Sequence, residues 1–99
     1  MYVGTLSFDL LLGDVHSLKE KRAVVRPLVA ELRRKYDVSA AETGHRDLYR
    51  RAEIGVCLVS GDPSHIASVL DNCERFIAYR PETELLSARR RVFSDEDED

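Results

Sequence analysis

The sequence contains little of what secreted, membrane and metal-binding proteins depend on. Its 99 residues include no tryptophan and only two cysteines, Cys57 and Cys73. These cysteines match neither a zinc-ligand spacing nor a C-x-x-C redox motif, and they are too few for a disulfide framework. No apolar run approaches the roughly 20 residues of a membrane helix, and no basic segment precedes the first apolar stretch, as a signal peptide requires. We therefore expect a soluble cytoplasmic protein with no metal site.

Catalytic motifs are also scarce. His16, His45 and His65 lie far apart in the sequence and lack metal-ligand spacing. The segment Gly13-Asp14-Val15 has neither the glycine density of a dinucleotide-binding loop nor the lysine of a P-loop. We therefore expect no cofactor and no enzymatic activity.

The net charge of −3 is unevenly distributed. The last five residues, 95–99, are all acidic, so the remaining chain holds 15 basic and 13 acidic residues, a balance of +2. A run of like charges at a terminus is typical of a solvated tail. We predict one domain over residues 1–93 and a disordered acidic tail over residues 94–99.

Alternating hydrophobicity predicts four strands. In residues 2–12 the apolar side chains recur at every second position, which gives a strand with one buried face. Residues 51–60 show the same alternation and predict a second central strand. Residues 38–43 are predicted to form a short edge strand, and residues 84–93 the last strand.

Two helices separate these strands. Ser17 and Glu20 fit a capping box, and an apolar stripe continues from there to Tyr36. Pro27 lies inside the stripe and predicts one bent helix. Asp62 followed by Pro63 predicts the start of the second helix, which ends before Pro81.

The resulting order is β-α-β-β-α-β. Right-handed crossovers place both helices on the same face of one sheet. We therefore predict an α+β, ferredoxin-like domain with a four-stranded antiparallel sheet. Strand parity places Cys57 on the helix-free face and Cys73 in the core, so the two should not pair.

Several segments resemble the YlxP-like family, a small bacterial family of unknown function. The resemblance covers roughly residues 1–93. It is carried by Val-Gly-Thr-Leu at residues 3–6, Ser-Leu-Lys-Glu-Lys-Arg at 17–22, Val-Ser-Ala-Ala-Glu at 38–42, Asp-Leu at 47–48 and Ala-Glu-Ile-Gly-Val at 52–56. The resemblance implies a ferredoxin-like fold and no established activity. Because members are commonly encoded beside translation-initiation and ribosome-maturation factors, it also implies an association with the ribosome. Pro27 and the acidic tail depart from the family pattern.

Basic residues form the one pattern that points to a binding function. On the first helix, Lys19, Arg22, Arg26 and Arg33 share a band about 60° wide beside the apolar stripe. Such a row suits phosphate oxygens, although a solvated helix face would look the same. The predicted phosphate-binding residues are Lys19, Lys21, Arg22, Arg26 and Arg33, assisted from the loop before the third strand by Arg46, Arg50 and Arg51.

The helix-free sheet face predicts a different kind of contact. The outward positions of its two central strands carry no aromatic residue, which excludes base stacking of the RNA-recognition-motif type there. Val3, Leu11, Cys57 and Val59 make this face partly apolar, so it favours a homodimer about as well as a monomer.

Two functional hypotheses follow. The first is a small non-enzymatic protein that contacts structured RNA, such as a ribosomal subunit, through the basic helix. The acidic tail would then compete with RNA for the same cations. The alternative is a homodimeric protein–protein adaptor that presents its basic residues to an acidic partner.

Overall fold

The computed structural model describes residues 1–97 as one four-stranded sheet with two helices. The elements, in chain order, are β1 (Tyr2–Leu12), α1 (Leu18–Tyr36), β2 (Ser39–Gly44), β3 (Arg51–Ser60), α2 (Pro63–Ala78) and β4 (Thr83–Ser94). This order confirms the predicted ferredoxin-like arrangement. The predicted bounds of β1 and β3 are also confirmed. β2 lies one residue later than predicted, and β4 is one residue longer at each end.

The strand order in the sheet is β2-β3-β1-β4, and every neighbouring pair is antiparallel. β1 and β3 are therefore central, whereas β2 and β4 form the two opposite edges. The register between β1 and β4 shifts at Asp9 and Leu10, and the register between β2 and β3 shifts between Glu42 and Gly44. Both irregularities lie toward the end of the sheet that contains the C-terminus of β1 and the N-terminus of β3.

The core lies between the helices and one face of the sheet. Because strand side chains alternate, Leu6, Phe8, Leu10 and Leu12 all point into it and are almost completely buried. Burial of each such side chain contributes about 1.5–3 kcal/mol. The remaining fully buried large side chains come from β3 and the helices: Leu28, Leu32, Ile54, Ile66, Leu70, Cys73 and Ile77.

α1 begins where the capping residues predict. The Ser17 hydroxyl accepts the Glu20 backbone N–H at 3.1 Å. The Glu20 carboxylate accepts the His16 N–H at 2.6 Å, one residue before the N–H that a capping box uses. The helix continues past Pro27 as a single element, as predicted, and ends at Asp37 in a left-handed conformation.

α2 begins at a capped residue and packs closely on β1. The Asp62 side chain accepts both the Ser64 N–H and its hydroxyl, at 2.9 and 2.8 Å, and these bonds lower the Asp62 pKa. On β1, Gly4 faces this helix, and the Ile66 side chain fills the space that a Cβ at Gly4 would need. A larger residue at position 4 would therefore push α2 away from β1.

The two cysteines lie on opposite sides of the sheet. Cys73 is buried in the core, and desolvation raises the pKa of its thiol to about 11. Cys57 is half-buried and lies on the helix-free face, paired in register with Thr5 of β1. Both thiols are free, which confirms the prediction that they do not form a disulfide.

The acidic tail begins next to the N-terminus. Ser94 belongs to β4, and the Asp97 N–H donates to the Ser94 carbonyl at 3.1 Å. The Asp95 carboxylate lies 2.9 Å from the Met1 amino group. Residues 98 and 99 lie outside the described residues, so the predicted disorder of residues 94–99 stays a prediction.

Candidate nucleic-acid interface

A row of cations runs along the flank of α1 that faces β2. Its members are Lys19, Arg22, Arg26 and Arg33, and we refer to these four residues as the basic rim. The orientation of the row is fixed at its C-terminal end, where Arg33 Nε donates to the Ala40 carbonyl of β2 at 2.9 Å. From Lys19 to Arg33 the rim extends about 21 Å along the helix. Lys19, Arg22 and Arg26 line one shallow surface depression of about 430 Å³.

Lys21 does not belong to this exposed row, so its predicted place among the phosphate contacts is wrong. Only 2% of the residue is exposed. Its ammonium group lies 2.9 Å from a Glu42 carboxylate oxygen and donates to the His45 carbonyl at 2.6 Å. The sequence carried a signal for this: Lys21 precedes Val25 by four positions and Leu28 by seven, the spacing of the apolar stripe. The lysine stabilises the junction of α1 and β2.

The loop formed by residues 45–50 lies at the same end of the molecule as the start of α1. His45 adopts a left-handed conformation (φ 56°), and its carbonyl accepts the Leu48 N–H at 3.1 Å. At the other end of the loop, Arg50 Nε donates to the Leu12 and Gly13 carbonyls at 3.2 and 2.9 Å. The Leu12 N–H in turn donates to the Arg50 carbonyl at 2.8 Å. Cationic side chains therefore anchor the loop at both ends.

Arg51 is committed to a carboxylate on the neighbouring strand. Its guanidinium lies 2.5 Å from Asp9 Oδ2, and His45 Nε2 lies 3.4 Å from Asp9 Oδ1. The Arg51 hydrogen bond lowers the pKa of Asp9 and raises that of Arg51. Arg51 thus contributes little free positive charge to the predicted interface, whereas Arg50 remains exposed although its Nε is bonded.

Within residues 1–97, four Lys or Arg side chains make no ion pair, hydrogen bond or cation–π contact: Lys19, Arg22, Arg26 and Arg46. All four belong to the predicted phosphate-binding set. Arg46 follows His45, whose carbonyl is bound by Lys21, so this arginine belongs to a loop that is attached to the first half of α1. The uncommitted cations of the described chain thus collect around the first half of α1.

The helix-free sheet face forms a second, more neutral surface. A hollow of about 600 Å³ lies over small side chains of the central strands, including Thr5, Ser7, Gly55 and Cys57. The predicted lack of outward aromatic residues holds for β1 and β3. Phe93 of β4, which pairs in register with Val3, sits at the margin of this face, and its ring is covered by the Arg91 guanidinium at 4.6 Å.

Loop residues Leu48 and Tyr49 were missed as candidate contacts. Each is 49% exposed, although both belong to large apolar or aromatic residue types. In the sequence they look like ordinary loop residues, and only the anchoring of the loop shows that they are presented outward. No pattern at this position would have identified them.

Metal-ligand clusters and membrane-spanning helices are both absent from residues 1–97. No group of three or more His, Cys, Asp or Glu side chains in that range is arranged to hold a metal ion. Neither described helix has the length and apolar character needed to cross a membrane.

The chain is similar to proteins whose function has not been assigned. Residues 3–90 match a family described as "Protein of unknown function (DUF503)". The chain is 31% identical over 91 residues to the uncharacterized protein YlxP of Bacillus subtilis (strain 168), an alignment that covers 92% of this chain and 99% of the relative. These two matches agree with the resemblance found in the sequence.

The fold matches that of a designed protein. The de novo designed protein Foldit4 superposes with a TM-score of 0.57 at 12% identity, covering 97% of this chain and all of the design. A mutant of SnoaB, a cofactor-independent oxygenase from Streptomyces nogalater, gives a TM-score of 0.47 at 13% identity, over 97% of this chain and 95% of SnoaB. Because identities this low relate folds and not activities, the family match alone classifies the protein. The chain belongs to the DUF503 family of proteins of unknown function.

Proposed function

We propose that this protein is a cytoplasmic, non-enzymatic RNA-binding protein that contacts phosphates of a structured RNA through Lys19, Arg22, Arg26 and Arg46. The observation that carries the proposal is the lack of partners for these four cations within residues 1–97. Arginine binds phosphate oxygens in a bidentate manner, and a row of such groups fits successive phosphates of a polyanion. Ribosomal RNA is the first candidate, because the sequence resemblance carries an association with translation factors.

The spacing of the cations on α1 also favours an anionic binding partner. Lys19 and Arg22 are three residues apart, and Arg22 and Arg26 are four apart, so both pairs are like-charged neighbours on one helix face. Each such pair destabilises a helix by about 0.2–0.5 kcal/mol. A phosphate backbone on the rim would turn this repulsion into attraction.

Contacts of this type position a protein on RNA without reading its sequence. Arg33 and Arg50 can add to them at the two ends, since both are exposed while their Nε atoms hold backbone carbonyls. Lys21 and Arg51 support this surface indirectly. Lys21 holds α1 to β2, and Arg51 holds β3 to β1. The proposed interface is therefore a rigid, sequence-tolerant surface of positive charge.

The proposal is tested by sedimentation of a cell lysate at low and high salt, with and without ribonuclease. We expect the wild-type protein to migrate with a ribosomal subunit at low salt and to leave it at high salt or after nuclease treatment. An Arg22→Glu/Arg26→Glu variant should stay at the top of the gradient.

A matched control carries the same change of charge elsewhere. Arg75→Glu/Arg91→Glu alters two exposed arginines on α2 and β4, and it should sediment like the wild type. Migration of the wild type only as a free monomer or dimer under every condition would contradict stable association with the ribosome. Loss of migration in both double variants would show that net charge matters and the rim does not.

The alternative proposal is a homodimeric adaptor that binds an acidic protein. It is favoured by the hollow over small side chains on the sheet face and by Val59, which is 59% exposed at the edge of that face. Complexes of an adaptor would be salt-sensitive but resistant to ribonuclease. A Val59→Arg variant, exposed at the edge of that face, should abolish dimers if they form there and should leave RNA binding unchanged.

A further inference from the structure

We infer that the loop formed by residues 45–50 is a docking site for an unpaired RNA base, which stacks on Tyr49 while the neighbouring duplex lies on the basic rim. This inference rests on the proposed RNA-binding function and adds to it the structural class of RNA: a helix interrupted by a bulged or looped-out nucleotide. Tyr49 is its central residue.

The loop presents two large side chains to solvent in a fixed conformation. Leu48 and Tyr49 are each 49% exposed. The backbone on either side of them is tied down by Lys21 Nζ at the His45 carbonyl (2.6 Å) and by Arg50 Nε at the Gly13 carbonyl (2.9 Å). Because the loop is already ordered, binding to it costs little conformational entropy. A loop with these properties is built to present its side chains, as binding loops on rigid scaffolds do.

The charges around Leu48 and Tyr49 favour a polyanion as the ligand. Arg46 and Arg50 flank Leu48 and Tyr49 in sequence, against one acid, Asp47, so the loop carries a balance of +1 with His45 neutral. Lys21 of α1 holds the loop, and the free cations Lys19 and Arg22 belong to the same turn of that helix. An aromatic ring among arginines fits a nucleobase whose own phosphates are bound on both sides.

Stacking on Tyr49 requires that the base be unpaired. An aromatic side chain can stack only on a base whose face has left the helical stack, as in a bulge or a loop. The sheet face, where other modules stack bases, has no aromatic residue on its central strands. Tyr49 is thus an exposed aromatic side chain in the same loop as Arg46, one of the uncommitted cations within residues 1–97.

The experiment compares two RNA probes that differ in one nucleotide. One is a short duplex with a single unpaired 2-aminopurine, and the other is the same duplex without that nucleotide. We expect the wild-type protein to bind the bulged duplex about tenfold more tightly, since stacking of one base on an aromatic ring is worth an effect of this order. Stacking should also quench the 2-aminopurine fluorescence in the complex.

Variants assign the effect to the loop. Tyr49→Ala should remove the preference and the quenching while leaving affinity for the plain duplex unchanged, and Tyr49→Phe should keep both. Tyr79→Ala is the matched control, because Tyr79 is 80% exposed at the C-terminal cap of α2, outside the loop. Arg22→Glu/Arg26→Glu should weaken binding of both probes equally.

The outcomes separate this inference from the proposed function. Equal, rim-dependent binding of the two probes by the wild type would overturn base stacking, keep RNA binding, and leave the Leu48 and Tyr49 pair as a protein contact. Equal loss of both probes in Tyr49→Ala would also overturn it, because the tyrosine would then act on the whole surface. If the wild type bound neither probe, both proposals would fail.

Discussion

α1 and β2 together carry seven Lys and Arg residues, α2 and β4 carry four, and the two sides use these cations differently. On the α2–β4 side, Arg90 lies 2.8 Å from Asp71 and 3.6 Å from Glu74. On the α1–β2 side, Lys19, Arg22 and Arg26 have no carboxylate within reach among residues 1–97, and the one lysine that does have one, Lys21, is buried. The β4 arginine that faces α2 is therefore paired with carboxylates, whereas three cations of α1 are left available. This asymmetry, and not the total charge, indicates where an anionic partner would bind.

The largest expected difference between the two sides is in stability. Lys21→Ala leaves the Glu42 carboxylate in a mostly buried site without its partner, and we expect a loss of about 3 kcal/mol in the free energy of unfolding. Arg90→Ala breaks an exposed pair and should cost less than about 1 kcal/mol. Urea denaturation followed by circular dichroism measures both.

A double variant tests whether the Lys21 effect comes from the unpaired charge. Lys21→Met/Glu42→Leu removes both charges and keeps their apolar volume, so we expect it to recover most of the lost stability. If Lys21→Ala and Arg90→Ala were equally mild, the buried pair would have no special role in joining α1 to β2.

The second difference should appear in the salt dependence of RNA binding. Each phosphate contact contributes a counterion-release term, so Arg22→Ala and Arg26→Ala should each reduce the slope of log affinity against log salt by about 1. Arg90→Ala removes the same charge on the opposite side and should leave the slope unchanged. Fluorescence anisotropy with a labelled duplex over a series of salt concentrations gives the slopes. Equal slopes for all three variants would show that the asymmetry does not guide binding.

A smaller effect on stability is expected at low pH, where Asp9 on the helix-free face becomes protonated. The pKa of Asp9 is lowered by Arg51, so the unfolded chain binds the Asp9 proton more tightly than the folded one does. The stabilisation is complete above the ordinary carboxyl pKa of about 3.9 and is lost as the pH falls through the lower folded value. Asp9→Asn should therefore lower the urea midpoint at neutral pH and converge with the wild type in acid.

The comparison for this prediction is Asp71→Asn, at the exposed pair with Arg90. It should change the urea midpoint less than Asp9→Asn does at neutral pH, because the Asp71 side chain is more than half exposed. A wild-type and Asp9→Asn difference that stayed constant with pH would mean that the carboxylate at position 9 contributes through packing and not through its charge.

Much of this molecule follows from local patterns. The period-two alternation of residues 2–12 and the caps at Ser17 and Asp62 act over a few residues, and they were sufficient to predict each element and the ferredoxin-like order. Lys21 could have been predicted to be buried from its place in the apolar stripe, but its positive charge led to its being grouped with the exposed cations. Its partner Glu42 is 21 residues away in sequence, and only the packing of α1 on β2 brings the two together.

The candidate site depends more on tertiary contacts, and for that reason less of it was predictable. The sequence shows which residues are basic. Whether each of them is paired depends on partners that are distant in sequence, such as Asp9 of β1, which binds Arg51 of the neighbouring strand β3. The exposure of Tyr49 depends likewise on Arg50 reaching back to Gly13. Composition marks a candidate surface, and the fold decides which of its side chains remain available.

The smallest effect is expected from the acidic tail, which tests whether charge on the β4 side reaches the basic rim. Asp95 pairs with the Met1 amino group, and β4 and β2 are separated by three strand spacings, about 14 Å. This exceeds the Debye length of about 8 Å at physiological salt. Deleting residues 95–99 should therefore raise RNA affinity no more than about threefold at physiological salt, and somewhat more at low salt. A tenfold or larger rise at physiological salt would instead show that the tail occupies the rim in competition with RNA, and the two sides of the molecule would then be coupled through its C-terminus.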